Sequence, residues 1–582
     1  MSCYLNQFPI EIFHIIFEYL WAHDILYSFR NISNYIDNIL SNYQYYVVNF
    51  KSIRRFHFDL VCQLRADQII SLILSDNVDT PKQSRLFQSN FSIEQFTRLR
   101  TLKCIEVDDE DDAIFPYLFS LPQLQSVEIH LKCRIPLIIA PASLRRFTIE
   151  TSPKMQLDLD LQITLVQFGH LRELTLPICP CSYLQRIFYE ASQLTSLKLS
   201  FIFLNPNDLT IFINIHQYSK APPLTSLSLS LNENCGTIKR IHIEQFLTPF
   251  KYLRNLELII PSPTESQLAD ACQWESFITD SLPSLGTFHF NFYVLTINSY
   301  TLNQFHRPFW VDRRWYVACD FNQSLIFSVP HFAPTSRRYS LRPVSVHQTT
   351  LPIKLYNALD DRVTQLIFDS ERKKSCSHYY RNIEKLKIYG HYIQKNLLDL
   401  SKVTSFVVNS PEWSFQRIVK SIEQSMPNVN HLSLICTYPN IDSFTKLEQI
   451  RTLVLPRYGE LFDDNQCFID WSCPFPRVER LTASITSKKQ IPFLIDQFKY
   501  LISGYFFALP SDMDMKKRIK LTPSWLIKHT QRLRGGKTKN FTYDIYGSCF
   551  LALSIWIDDK EKFDDNKTLV KNRKWSWGRC FT

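Results

Sequence analysis

Glycine is scarce: ten residues in 582, and apart from the adjacent Gly535 and Gly536 they lie far apart. A loop that cradles phosphate needs closely spaced glycines, because a Cβ keeps backbone N–H groups away from the anion. Neither GxGxxG nor GxxxxGK[ST] occurs, which argues against the nucleotide-binding folds built on them. HExxH, GxSxG and an EF-hand loop are also missing, and nothing nominates a nucleophile or a base. The expectation is a chain that is not an enzyme, with no catalytic residues and no cofactor.

Long apolar runs are missing too. A membrane-spanning helix needs about twenty mostly apolar residues. The early stretch FPIEIFHIIFEYLWAHDILYSF, Phe8 to Phe29, is interrupted by Glu11, His14, Glu18, His23 and Asp24. It also lacks the basic start and small-residue cleavage site of an export signal. RIPLIIAPASL and CFLALSIWI have the length of buried strands. A soluble intracellular protein, cytoplasmic or nuclear or both, is expected.

Fifteen cysteines, an odd number scattered along the chain, suit reduced core thiols better than a disulfide framework. Cys179 with Cys181, Cys376 with His378 and Cys467 with Cys473 are the local clusters. None has a matching second half at zinc spacing, so no metal site is expected. The formal charge of +10 is thin over this length. Its densest region, Lys516 to Lys539, reads either as a phosphate-contacting surface or as a solvated loop and helix face. The acidic run Asp108 to Asp112 reads as a solvated loop.

What the chain has is self-similarity. A six-residue strand signal, apolar at its first, fourth and sixth places, keeps returning. LRELTL (from Leu171), LTSLKL (Leu194), LTSLSL (Leu224) and LRNLEL (Leu253) are its clearest copies. IISLIL (Ile69), LRTLKC (Leu99), LQSVEI (Leu124), LRRFTI (Leu144) and LGTFHF (Leu285) extend the series. A second series runs VTQLIF (Val363), IEKLKI (Ile383), VTSFVV (Val403), VNHLSL (Val429), IRTLVL (Ile450) and VERLTA (Val478). Stretches with helical periodicity lie between copies, and several end in a proline just before the next strand, as in SLPQL and SMPNV.

This pattern resembles the leucine-rich-repeat family, with IISLILSDN completing the longer form at Asn77 and LRELTLPIC at Cys179. The resemblance implies an α/β fold: an irregular leucine-rich-repeat solenoid with parallel strands on one face and helices on the other. An ordinary α/β domain with leucine-rich strands stays open beside it. The expected organisation is a helical module over 1–45, a first array over 46–290, a strand-rich insertion over 291–362, a second array over 363–508, and a cap over 509–582. That cap carries the basic segment and terminal strands, read as a hairpin around Gly547. Across the second, third and fifth positions of the copies no phosphate-reading arginine cluster stands out.

In the first forty-odd residues Pro9 suits the first turn of a helix carrying Ile12, Phe13, Ile15, Ile16, Tyr19 and Leu20. Asp24 is placed to cap a second helix with Ile25, Leu26 and Phe29, and Ile32, Tyr35, Ile36, Ile39 and Leu40 mark a third. Three such helices bury too little to stand alone. The stretch resembles the F-box, through FP at Phe8 and Pro9, Glu11 with Ile12, Ile16, YL at Tyr19 and Leu20, and DIL from Asp24 to Leu26. ISNY stands where that family often has a basic pair before an aromatic.

The resemblance implies a non-enzymatic substrate receptor of a ubiquitin ligase. It would dock on a Skp-type adaptor, and through it a cullin, by Phe8, Pro9, Ile12, Ile16, Leu20 and Leu26, and hold a client protein on the repeats. A leucine-rich scaffold without a ligase role, capped by these helices, and a nucleic-acid-binding solenoid using Lys516 to Lys539 are the alternatives.

Overall fold

The computed structural model describes residues 4–107, 118, 120–131, 141–151, 169–202, 206–218, 221–231, 238–264, 266–294, 299–320, 324–333, 335–339, 348–352, 355, 361–368, 379–391, 393, 398–435, 445–455, 470–485, 488–507, 521–533, 541–546 and 552–557. Asp108 to Asp112, Cys376, His378, Cys467, Gly547 and both ends of the Lys516 to Lys539 stretch lie outside the described residues. Among the described residues no helix is long and apolar enough to cross a membrane.

Each quoted copy of the six-residue signal holds a strand. Helices α1 (Ile10–Glu18), α2 (Ala22–Phe29) and α3 (Asn34–Asn42) come first, then β1 (Tyr46–Asn49), α4 (Arg55–Val61) and β2 (Ile69–Ser75). The first series continues as β3 (Thr101–Ile105), β4 (Ser126–Leu131), β5 (Arg146–Thr151), β6 (Glu173–Pro180), β7 (Ser196–Ile202), β8 (Ser226–Leu231), β9 (Asn255–Thr264) and β10 (Thr287–Val294). Between the series lie β11 (Tyr316–Asp320), β12 (Leu325–Val329), β13 (Ser336–Tyr339) and β14 (Gln348–Thr349). The second series gives β15 (Gln365–Phe368), β16 (Lys385–Ile388), β17 (Ser405–Val408), β18 (His431–Leu434), β19 (Thr452–Val454) and β20 (Arg480–Ser484). β21 (Ser503–Phe507), β22 (Phe541–Tyr546) and β23 (Ala552–Ile557) complete the strands. The helical stretches after Cys181, Ala271 and Phe415 form as read, the last two capped by Asp270 and Ser414 side chains accepting from Gln273 and Arg417 N–H.

The chain divides into two compact units: Met1–Ile69, Ile73–Asn90 and Asn430–Thr582 make one, and Ile70–Leu72 with Phe91–Val429 the other. In the second unit, β3 to β10 run parallel and in chain order. Their fourth-position residues stand in one register row: Leu102, Val127, Phe147, Leu174, Leu197, Leu227, Leu256 and Phe288. All are buried. Because side chains alternate across a strand, the third and fifth positions face the other way and carry the polar residues.

A recurring backbone device sets this register. In each unit the carbonyl of a copy's second residue accepts two N–H groups from the next copy. Gln125 and Ser126 donate to Arg100 O (2.9 and 3.0 Å), Arg145 and Arg146 to Gln125 O (2.8 and 2.9 Å), and Arg172 and Glu173 to Arg145 O (2.8 and 3.0 Å). The first unit repeats it where Glu479 and Arg480 donate to Arg451 O.

The single solenoid is corrected. The strands form two separate sheets, of thirteen and ten strands, and each is mixed rather than purely parallel. In the second unit β12 pairs antiparallel with β10 and β11 with β12, closing off the parallel run; β13 then starts the second sheet, pairing parallel with β15. In the first unit β23 pairs antiparallel with β21 and with β22. The physical reason lies in the segments that break the period. Two strands joined by a short connection return antiparallel, and they occupy the edge on which another parallel copy would have paired. Gly504 of β21 sits in register with Ile555 of β23, and a Cβ there would meet the buried Phe506 ring at 2.7 Å, so any larger residue must displace that ring.

In the first unit β23 packs against α4 and the residues just before it. Trp556 of β23 is fully buried, donates its indole N–H to Ile53 O (3.1 Å) and meets Phe58 of α4 edge-on at 5.6 Å. The Arg55 guanidinium lies over its ring at 5.2 Å. Trp556→Ala should cost about 3–5 kcal/mol, the usual cost of deleting a buried tryptophan, read as a lower denaturation midpoint. Trp21→Ala, at an exposed position, should leave the midpoint in place; equal midpoints for the two variants would refute the assignment.

Candidate docking surface

Helix α1 is apolar on two sides. Phe13 and Phe17, one turn apart, are buried and meet Phe29 at 6.3 and 5.3 Å; Phe17 also meets Tyr43 at 5.2 Å. Ile25, Leu26, Ile36, Ile39 and Leu40 complete this inner cluster. Tyr46 donates its hydroxyl to Leu40 O (2.9 Å), and Ser33 caps α3 by accepting from Ile36 N–H. Burial, with Glu18 beside it, pushes the Tyr43 phenol up to about 12. The neutral phenol is therefore held in the cluster at all ordinary pH.

The other side of α1 is exposed among the described residues. Ile12 (41% exposed), Ile15 and Ile16 (39%) lie outward at helical spacing, with Phe8 (48%) just before the helix and Tyr19 (85%) at its C-cap continuing the stripe at its two ends. Tyr35, also exposed, donates its hydroxyl to Phe8 O (2.9 Å), fixing the start of the stripe to α3. Of the 21 large hydrophobic side chains exposed among the described residues, eleven fall in the first 45 residues. Such concentration marks an interaction surface, whereas scattered single residues do not.

The six docking positions read from the sequence are not equivalent. Phe8, Pro9, Ile12 and Ile16 are exposed, and Pro9 is the N-cap residue of α1. Leu20 is half-buried and Leu26, at 7% exposure, belongs to the inner cluster. Ile15, Tyr19, Trp21, Ile32 and Tyr35 are exposed beside them without having been assigned a docking role. Helical spacing from Ile12 carries the signal for Ile15 and Tyr19. Asp24 is not a cap: α2 begins at Ala22 after Trp21, and Asp24 sits in its first turn, where a carboxylate still favours the helix dipole.

Beside the stripe α1 carries Glu11 and Glu18, both exposed. In the first 45 residues Glu11, Glu18, Asp24 and Asp37 stand against Arg30 alone, although the whole chain is basic. An amphipathic helix that lies on an anionic membrane needs lysine and arginine on its polar face. The charge here therefore suits a protein partner.

Of the three helices, α2 leans on α4 within the same unit. His23 and His57 stack at 5.4 Å, and Tyr27 meets His57 at 5.3 Å and Phe56 at 6.4 Å. Burial lowers both imidazoles; with the charges of His23 and Arg54 close by, His57 falls to about 4.

On the polar face of the second unit's sheet, Glu128, His130 and Glu150 are the one group among the described residues whose ligand atoms could converge on a metal ion. Lys103 Nζ lies 2.5 Å from Glu128 Oε1, and His130 Nε2 is 2.6 Å from the same oxygen. Burial raises the Glu128 carboxyl, but these two hydrogen bonds outweigh it and hold it below the ordinary carboxylate range. The lysine already supplies the cation that this carboxylate needs. The same face is self-paired elsewhere, through Arg146 with Glu173 (2.6 Å) and through Ser228 and His331 on Glu257 (2.6 Å each).

No protein-family model and no curated protein matches this chain.

Two outcomes follow from the α1 geometry. Phe17→Ala should cost about 3–5 kcal/mol, whereas Ile16→Ser should change stability by less than about 0.5 kcal/mol; a large loss for Ile16→Ser in a urea titration would show that the outer stripe is covered. Because His57 titrates lower folded than unfolded, the unfolded chain takes up the proton first. Stability is then full above about pH 6.5 and falls as pH drops toward 4. In thermal melts His57→Gln should flatten this part of the pH profile; a wild-type slope in that variant would refute the coupling.

Proposed function

We propose that the chain is a non-enzymatic substrate receptor of a Skp/cullin/F-box-type ubiquitin ligase, with α1 to α3 as its adaptor-docking module. The observation that supports this reading is the exposed stripe of Phe8, Ile12, Ile15, Ile16 and Tyr19 on a helix whose opposite side is already packed. It sits on the segment that resembles the F-box, and the acidic residues of that segment suit a protein partner with basic groups at its edge. The sheets then offer their polar faces to a client. The chain's contribution is proximity: it raises the effective concentration of a client lysine near activated ubiquitin and performs no chemistry itself.

The test is co-purification of the full chain with a Skp-type adaptor, followed by a binding titration. Ile12→Asp with Ile16→Asp introduces two charges at exposed positions, so folding is kept while a buried interface centre is lost. Binding should weaken by about 2 kcal/mol or more, the scale of a hot spot. Wild-type chain that fails to bind the adaptor, or a double variant that binds as well as wild type, would overturn the reading.

A further inference from the structure

We infer that the turns leading into β3 to β7 of the second unit form a binding pocket for a phosphate monoester. A cavity of about 440 Å³ opens there, lined by Arg100, Arg145, Arg172 and His170 together with the side-chain amides of Gln125 and Gln193. No carboxylate lines it among the described residues. The inference stands independently of adaptor docking, since it concerns another unit and other residues.

Three observations carry it. The first is the state of the arginines. Among the described residues the guanidinium groups of Arg100, Arg145 and Arg172 make no hydrogen bond or ion pair, while the adjacent Arg146 is held bidentately by Glu173 (2.6 and 2.9 Å) and Lys103 by Glu128. The neighbouring cations are neutralised inside the protein, and these three are left for a ligand.

The second is their placement. Arg100, Gln125, Arg145 and Arg172 are the second residues of four consecutive copies, and each is tied to the next by the doubled N–H to carbonyl contact. Neighbouring strands stand about 4.8 Å apart, so the backbones that carry these three fork-shaped donors stand in one row, with Gln125 between Arg100 and Arg145. Across the copies as written in the sequence no arginine cluster stands out, and this is corrected by the register: LRTLKC, LRRFTI and LRELTL lie tens of residues apart in the chain, and stacking brings their second positions together.

The third is the chemistry of the lining. Arginine forks match the oxygens of a phosphate group bidentately. Three of them, with His170 and amide donors, suit a dianion with three terminal oxygens better than a single carboxylate. The lining has no phenylalanine, tyrosine or tryptophan, whereas single-stranded nucleic acid is held largely by stacking on aromatic rings. A phosphorylated side chain of a protein and a small phosphate ester present the same group.

Calorimetric titration of the full chain tests this, at about 50 and 200 mM salt. The probes are inorganic phosphate, glucose 6-phosphate, and one short peptide with and without phosphoserine. The phosphorylated probes should bind and the unphosphorylated peptide should not. The Arg100→Gln, Arg145→Gln, Arg172→Gln variant should lose at least about tenfold in affinity, while Lys51→Gln, Lys251→Gln, Lys420→Gln, with the same net charge, stays within about twofold. All six side chains are exposed, and a matching thermal transition shows that each variant is folded; Arg172→Gln alone, with a smaller loss, serves if the triple variant is not. Tighter binding of the phosphopeptide than of the sugar phosphate identifies a protein as the source, and the reverse order a small ester. The proposal is overturned if no phosphate probe binds, if both triple variants lose affinity equally, or if a single-stranded RNA oligonucleotide binds more tightly than every ester.

Discussion

The contact between Trp556 and α4 is the constraint on which the first unit depends. Its indole N–H ends on Ile53 O, its face meets Phe58, and the Arg55 guanidinium covers it. The partners are about five hundred positions apart in the chain, so forming this contact means closing a very long loop. That closure costs entropy which grows only slowly with length, and a fully buried tryptophan with its hydrogen bond met is the kind of contact that can offset it. Around it the polar contacts agree: Arg54 pairs with Glu479 at 2.8 Å, and Arg480 donates to Ser52 O at 3.2 Å. Once α4 is anchored, α2 has a surface to pack on through the His23, Tyr27 and His57 rings, and α1 in turn packs on α2 and α3.

This order explains why one side of α1 stays bare. Phe13 and Phe17 consume the inner cluster, and nothing beyond α3 reaches the far side of the helix among the described residues. Ile12, Ile15, Ile16 and Tyr19 cannot improve the fold of the isolated chain, yet they carry a solubility cost. Apolar side chains at helical spacing that a fold leaves uncovered are the signature of a surface whose cover comes from another molecule.

Much of the local structure was legible in the sequence. An apolar residue at the first, fourth and sixth places predicts a short strand, and each copy supplies one, because the fourth and sixth places have the same parity and send both side chains into the core. Helical stretches that stop at a proline, as before SLPQL and SMPNV, were legible for the same local reason, whereas their capping by Asp270 and Ser414 came only with the structure. What the pattern did not carry is where a parallel run stops. Leu285 opens a copy as regular as that of Leu253, and nothing inside it says that β12 will take the next edge. Asp24 shows the limit at a single residue: a capping type one turn into a helix reads like a cap until the true start, Ala22, is known. At the docking module nothing in the motif ranks inner from outer apolar positions, since Leu26 and Ile16 fit the same motif and only packing separates them.

The division of roles within each copy has a further consequence. The fourth and sixth residues are fixed by the core, and register is fixed by a backbone carbonyl, which every residue type possesses. The second, third and fifth residues therefore answer to neither requirement. Their side chains are free to vary without moving the strands, and in the second unit the stack places them in rows: paired charges at the third and fifth positions and, among the described residues, the unpaired Arg100, Arg145 and Arg172 at the second. A scaffold that sets its geometry with main-chain groups can change what it recognises by substitution alone, since only proline, which lacks the donating N–H, would remove a contact that holds the rows in place.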